Sequence, residues 1–188
     1  MRRVKTSYRP AYHEEEAGME VEGDSPSSLA RPDGRAESAA LRPCYLRMGP
    51  VSQASGSAFV EVGRTKVVCS VFGPRANAAG TGFSESGTLH CDLKFAPFAR
   101  PGERQDAGQS DYEREVSKQL QQALLPAVRL ALYPKSTIDV FCLVLEDGGG
   151  ALASCVNCAS IALVDAAVEM LDTVAACSVV RGPSAAAA

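Results

Sequence analysis

Two β-rich runs, Ser57–Val62 and Thr65–Phe72, stand only two residues apart, and no other feature constrains the fold of this chain as tightly. The joint is Gly63-Arg64. Glycine accepts the positive φ that a two-residue hairpin turn demands, so the runs are expected to pair antiparallel. A further strand is expected where Leu89, Cys91, Leu93 and Phe95 alternate with His90, Asp92 and Lys94, one face buried and one wet. Ile138–Leu145 is an apolar run rich in branched residues, read as a central strand with neighbours and packing on both faces.

Two helices complete the pattern. Ser110-x-x-Glu113 is a capping box, which starts a helix at about Asp111. Its apolar stripe is Val116, Leu120, Ala123, Leu124, Ala127 and Val128, and Pro126 must kink or divide it, having no backbone N–H. Gly148-Gly149-Gly150 opens a second helix over about 151–172. Its apolar residues fall on several faces, the mark of deep burial. Thr173–Val180 reads as one more strand. Strands precede helices without regular alternation, which gives an α+β class with helices packed on one face of a mixed sheet.

The ends differ from this core. Residues 14–24 hold six acids and no base, and the following stretch is poor in branched apolar residues up to Ala40. Such a segment has too little apolar surface to offset its ordering entropy. The expected division is therefore a disordered acidic tail over 1–30, one domain over 31–180, and a disordered end over 181–188. With 188 residues, 46% hydrophobic and 22% charged, the chain suits one globular domain with a tail.

Charge and cysteine content narrow the chemistry. A net charge of −3 gives no global basic field, so contact with nucleic acid would need a local patch. No apolar run approaches a membrane span, no secretory signal opens the chain, and no membrane partner is expected. Seven cysteines lie scattered through apolar runs, which suits reduced core thiols of the cytosol or nucleus.

The most suggestive local feature is the glycine turn at 148–150, because a helix N-terminus reached through glycines exposes N–H groups to an anion. It matches neither a Walker loop nor GxGxxG, and a tight strand-to-helix turn is the favoured reading, because glycine turns greatly outnumber phosphate sites. Glu146-Asp147 beside it would repel phosphate unless a cation intervened. Cys155-x-x-Cys158 has metal spacing but no second pair and no nearby His, so it reads as core thiols; no metal and no cofactor is expected. A Ser/His/Asp site would have to use His13, in the tail, or His90, on a wet strand face, and no motif surrounds either. Arg100 and Arg104 share a loop, and Lys118 lies on the exposed side of the first helix. These are weak candidates for RNA contact.

Three motifs in this order resemble the RNase PH family. Arg31-Pro-Asp-Gly-Arg35 is similar to its opening signature, Gly56 to Arg75 to its first hairpin, and Ile138 to Ala166 to its central strand, glycine turn and buried helix. The resemblance implies a fold like domain 2 of ribosomal protein S5, here with its second half incomplete. Within the family, Leu145 to Leu152 and Val168 to Asp172 look most like a catalytically silent ring subunit of the eukaryotic RNA exosome. Active members are expected to carry Thr and Arg after the glycines to hold the attacking phosphate. This chain has Ala151 and Leu152 there, a loss of about 1.5–3 kcal/mol for a charge-assisted contact. An RNA-binding Arg of active relatives aligns with Gln121, and the family's catalytic Asp would lie in the part of the fold beyond this chain.

The resemblance thus implies a non-catalytic subunit of a hexameric exosome core ring, supporting 3′-to-5′ RNA processing and degradation, including rRNA processing and mRNA decay. Its partners would be other RNase-PH-like subunits, cap subunits and RNA threading the central channel. Its places would be nucleus, nucleolus and cytoplasm. The degenerate phosphate turn would be Gly148, Gly149, Gly150, Ala151 and Leu152. An active phosphorolytic 3′-exoribonuclease and a nonfunctional truncated fragment are the alternatives.

Overall fold

The computed structural model describes residues 41–76, 85–100 and 110–179. Contacts divide the chain into Met1–Pro43 and Cys44–Ala188, and every element below lies in the second unit. The expected tail, the Arg31–Arg35 signature, His13, Arg104 and the end over 181–188 lie outside the described residues.

Five strands form one mixed sheet: β1 (Cys44–Met48), β2 (Gly56–Val62), β3 (Thr65–Ala76), β4 (Thr88–Phe95) and β5 (Ser136–Glu146), in the order β1-β2-β3-β5-β4. The hairpin forms as its spacing requires, with Val62 opposite Thr65 and Gly63 at φ +58°. β5 runs antiparallel to β3 and parallel to β4, and α1 (Asp111–Leu124) makes the crossover from β4 to β5. α2 (Ala151–Asp165) packs over β2 and β3, and α1 over β4. Both helices lie on the same side of the sheet. There Val60, Val67, Val71, Leu89, Leu93, Ile138, Val140 and Val144 meet Leu120, Leu124, Cys155, Cys158 and Leu163, all buried. Among the described residues no helix is long and apolar enough to cross a membrane.

α1 begins as its sequence dictates. The Ser110 Oγ accepts from the Glu113 N–H at 3.2 Å, and the Glu113 carboxylate accepts from the Ser110 N–H at 3.0 Å. The helix ends at Leu124, so Pro126 terminates it rather than kinking it, and Val128 reaches the core from beyond the helix.

Three expectations are corrected, and one strand was not foreseen. α2 stops at Asp165, not near 172, because Ala167 adopts φ +54° and the chain closes a Schellman turn: the Val168 N–H donates to the Leu163 carbonyl and the Ala167 N–H to the Val164 carbonyl. Residues 173–179 form no strand. Side chains of α2 take up the backbone groups a strand neighbour would have satisfied: Val174 N–H donates to Ser160 Oγ at 2.9 Å, and the Asn157 amide exchanges two hydrogen bonds with Ala176. β5 is covered on one face only, with Phe141 and Leu143 about 40% exposed on the other. β1 was not legible beforehand, since Cys44-Tyr-Leu-Arg-Met48 lacks a clean alternation.

Candidate functional site: the glycine turn at the head of α2

The turn joins the end of β5 to α2, and side chains from β3 and from the segment after β4 hold it. Its glycines are required by backbone shape. Gly149 and Gly150 sit at φ +99° and +74°, and a Cβ on Gly148 would stand 2.6 Å from the Cβ of Arg64. The Thr65 hydroxyl, fully buried, accepts from the Gly148 N–H at 3.1 Å and donates to the Gly149 carbonyl at 3.0 Å. The Asp147 carboxylate accepts from the Gly149 N–H at 3.1 Å, and the Asp147 N–H donates to the Ala99 carbonyl. Two N–H groups that could have faced an anion are thus already directed at Thr65 and Asp147.

The carboxylates expected to repel phosphate are themselves paired. Glu146 meets Lys66 at 2.9 Å and Arg64 at 3.7 Å. Asp147 meets the Arg100 Nε at 3.1 Å. Arg100 stacks its guanidinium 4.5 Å from the Phe95 ring centre and 5.0 Å from that of Tyr112, two rings that lie 5.9 Å apart. Burial opposes the charge on Arg100, yet the hydrogen bond and attraction of Asp147, aided by Tyr112, hold its pKa above the ordinary value. Arg100, a candidate for RNA contact, therefore serves first as a clamp between β4, α1 and the turn.

At the head of α2 no side chain caps the helix. Ala151 is buried there, and Leu152 lines a groove of about 380 Å³ with Gln119, Ala123, Val156, Val174 and Ser178. The groove wall is mainly aliphatic, and neither residue 151 nor residue 152 offers a hydroxyl or a guanidinium. Lys118 is exposed, on a different face of α1 from Tyr112, so the structure does not join it to Arg100.

Gln121 has an unforeseen task. Its amide donates to the Leu89 carbonyl at 2.7 Å. One turn earlier the Ser117 hydroxyl accepts from the Leu93 N–H at 2.9 Å, and one turn before that the Glu113 carboxylate accepts from the Phe95 N–H at 2.8 Å. The 4-residue spacing of 113, 117 and 121 stacks three polar groups along α1 against the outer edge of β4. They satisfy backbone groups that a further strand would otherwise claim.

The remaining candidates fall outside any site. Cys155 and Cys158 are fully buried, and burial first, then the charges of nearby Cys142, Cys158 and Asp147, pushes the Cys155 thiol well up. Cys158 Sγ lies 3.3 Å from the Ala58 carbonyl. Among the described residues no three His, Cys, Asp or Glu side chains gather in ligating geometry. His90 stands exposed, 3.8 Å from Asp139.

The sequence model of the 3′ exoribonuclease family, RNase PH, domain 1, matches residues 40–169. The chain is 44% identical over 156 residues to the exosome complex component RRP41-like of Arabidopsis thaliana, covering 83% of this chain and 59% of that protein. It is 46% identical over 158 residues to the exosome complex component MTR3 of Mus musculus, covering 77% and 58%. Among solved structures it superposes on rice (Oryza sativa) Rrp46 with a TM-score of 0.64 and 25% identity, over 76% of this chain and 64% of that one. The chain therefore spans about three fifths of the length of these relatives. Hairpin, crossover, glycine turn and buried helix all fall within the matched span, and the chain belongs to the RNase PH family of 3′ exoribonucleases.

Proposed function

We propose that this chain is a non-catalytic subunit of the RNA exosome core, supporting 3′-to-5′ RNA processing and degradation, rRNA processing and mRNA decay among them. Its partners are other RNase-PH-like subunits in a hexameric ring, with cap subunits and RNA in the central channel. It acts in nucleus, nucleolus and cytoplasm. The observation that carries the reading is the composition of the turn: Ala151 and Leu152 offer no phosphate-binding side chain, and Asp147 takes both the Gly149 N–H and the Arg100 guanidinium. An incoming phosphate would have to displace a carboxylate held by an arginine that stands over two adjoining rings. Electrostatic assistance of phosphoryl transfer needs the opposite arrangement, donors preorganised and vacant.

The relatives' names support membership in the exosome, and the aliphatic groove beside Leu152 supports a structural role. Purified chain incubated with single-stranded RNA should release no nucleoside diphosphate at any phosphate concentration. Release that rises with phosphate and survives removal of contaminating nuclease would overturn the reading. Co-expression with an RNase-PH-like exosome subunit should raise soluble yield and Tm, and no gain would count against the ring.

A further inference from the structure

Among the described residues the sheet has helices on one side only, and its two sides differ in kind. Beneath the helices the strands present aliphatic residues and thiols, with Phe95 the only aromatic among the described strand residues there. The uncovered side carries Tyr45, Phe59, Phe72 and Phe141. Tyr45 and Phe59 meet edge to face at 6.3 Å, and Phe72 and Phe141 do so at 5.9 Å. Strand register sets Arg47, Phe59, Val68, Leu143 and Lys94 side by side across all five strands, a row with a cation at each end. A second row runs Phe72, Asp139, His90, and the Arg75 guanidinium stands 5.9 Å above the Phe72 ring.

Charge on this side is layered. The Arg75 side chain is 59% exposed while its partner Asp139 is 15% exposed. His90 overlies the same Asp139, and Lys94 is 60% exposed beside Asp92 at 19%. In these two pairs the carboxylate lies low and the cation stands outermost, while buried Glu61 and the evenly exposed Lys66–Glu146 pair add balanced charge at the β2–β3 end. An approaching ligand meets positive charge first, then aromatic rings, without an unpaired acid beneath it.

We propose that this uncovered sheet face binds a single-stranded polynucleotide, its phosphates meeting Arg47, Arg75, His90 and Lys94 and its bases stacking on Phe72 and Phe141. Sheets with outward rings offer bases a π surface in a sequence-tolerant way, and cations beside the rings track the backbone. A folded protein partner suits the face less well, because burying Arg75, His90 and Lys94 with their carboxylates would carry a desolvation cost that a phosphate backbone at the solvent edge avoids. The site needs neither the glycine turn nor a ring of subunits, so it goes beyond the function proposed above.

The test uses the full chain, alone or co-purified with an exosome subunit, and fluorescent oligomers of uridine or thymidine of about 12 nucleotides. Binding of the RNA oligomer, with or without the DNA oligomer, is expected, weakening as salt rises. Phe72→Leu with Phe141→Leu keeps apolar bulk but removes the rings, and should lower affinity about tenfold or more with Tm unchanged. Lys94→Glu with Arg47→Glu should weaken binding and flatten its salt dependence. RNA carrying 4-thiouridine should crosslink to peptides holding Phe72 or Phe141. The proposal falls if neither oligomer binds the folded chain, if the leucine pair binds like the parent, or if crosslinks map elsewhere or vanish because a protein partner covers the face. A chain that joins exosome subunits yet fails here defeats only this inference. One that binds here and joins none defeats only the ring.

Discussion

The two faces of one sheet obey different rules, although the same strands supply both. On the helix side the core residues of β2 to β5 are aliphatic or thiol-bearing apart from Phe95, buried and without charge. On the opposite side rings and ion pairs share the surface, and Phe141 and Leu143 remain open to solvent. Residues 140 and 141, adjacent in β5, therefore carry very different stability costs. The first sits among Leu89, Val71 and the helices, while the second can change without opening a cavity. Burial, not strand membership, decides what a substitution costs.

The widest separation between buried and open positions should appear in thiol chemistry. Cys69, Cys91, Cys142, Cys155 and Cys158 are buried between the sheet and the helices, while Cys44 and Cys177 are exposed. A coloured disulfide reagent should titrate two thiols at once and the other five only with unfolding, about 10³-fold or more slower. Burial first, then Cys142 and Asp139, push the Cys91 thiol from 9.0 up to about 12. The unfolded chain then loses this proton before the folded one does. The contribution is full below pH 9, and stability should decline as pH rises from 9 toward 12. A flat Tm across that interval would show Cys91 to be solvated.

Next in size is the core itself. Leu163→Ala should cost about 2–5 kcal/mol in a denaturant titration, because the cavity lies between α2 and the sheet. Glu113→Ala removes half the capping box and strips the Phe95 N–H of its acceptor, for about 2–3 kcal/mol together. Glu113→Gln keeps an acceptor and should lose less. If Gln and Ala behave alike, the bond to β4 contributes little.

Smaller effects sharpen the contrast from the other side. Arg100→Ala should cost about 1–2 kcal/mol by freeing Asp147 and the two rings. Lysine should restore only part, since it has no planar group to lay over Phe95 and Tyr112. Phe141→Ser, on the open face, should cost about 0.5–1.5 kcal/mol, the worth of its edge-to-face contact with Phe72. A larger loss would mean that the face is covered in solution.

The residues that announced the fold were those whose periodicity is local: the hairpin around Gly63, the alternation at 89–95 and the capping box at Ser110. What stayed hidden depended on partners distant in sequence. Arg100 looked like a loop cation because Phe95, Tyr112 and Asp147 converge on it only after the crossover is made. Gln121 looked like a lost arginine, yet 113, 117 and 121 share a stripe that could have been noticed beside the apolar one. Thr173–Val180 has strand composition, and only the polar residues Asn157 and Ser160 of α2 explain why 173–179 runs along a helix instead. The glycine turn was legible as a turn, while its internal satisfaction by Thr65 and Asp147 was not.

The position of β5 between β3 and β4 has a consequence for synthesis on the ribosome. Strands β1 to β4 are made first, but β3 and β4 do not touch, because the strand that belongs between them is the last to emerge. Until Ser136–Glu146 leaves the exit tunnel, two bare strand edges and a row of thiols wait unprotected, with Cys69 lacking Cys142 opposite it. Pairings this far apart in sequence close slowly. A nascent chain of this kind is most exposed to aggregation and oxidation just before its fifth strand arrives, the interval in which a chaperone would matter most.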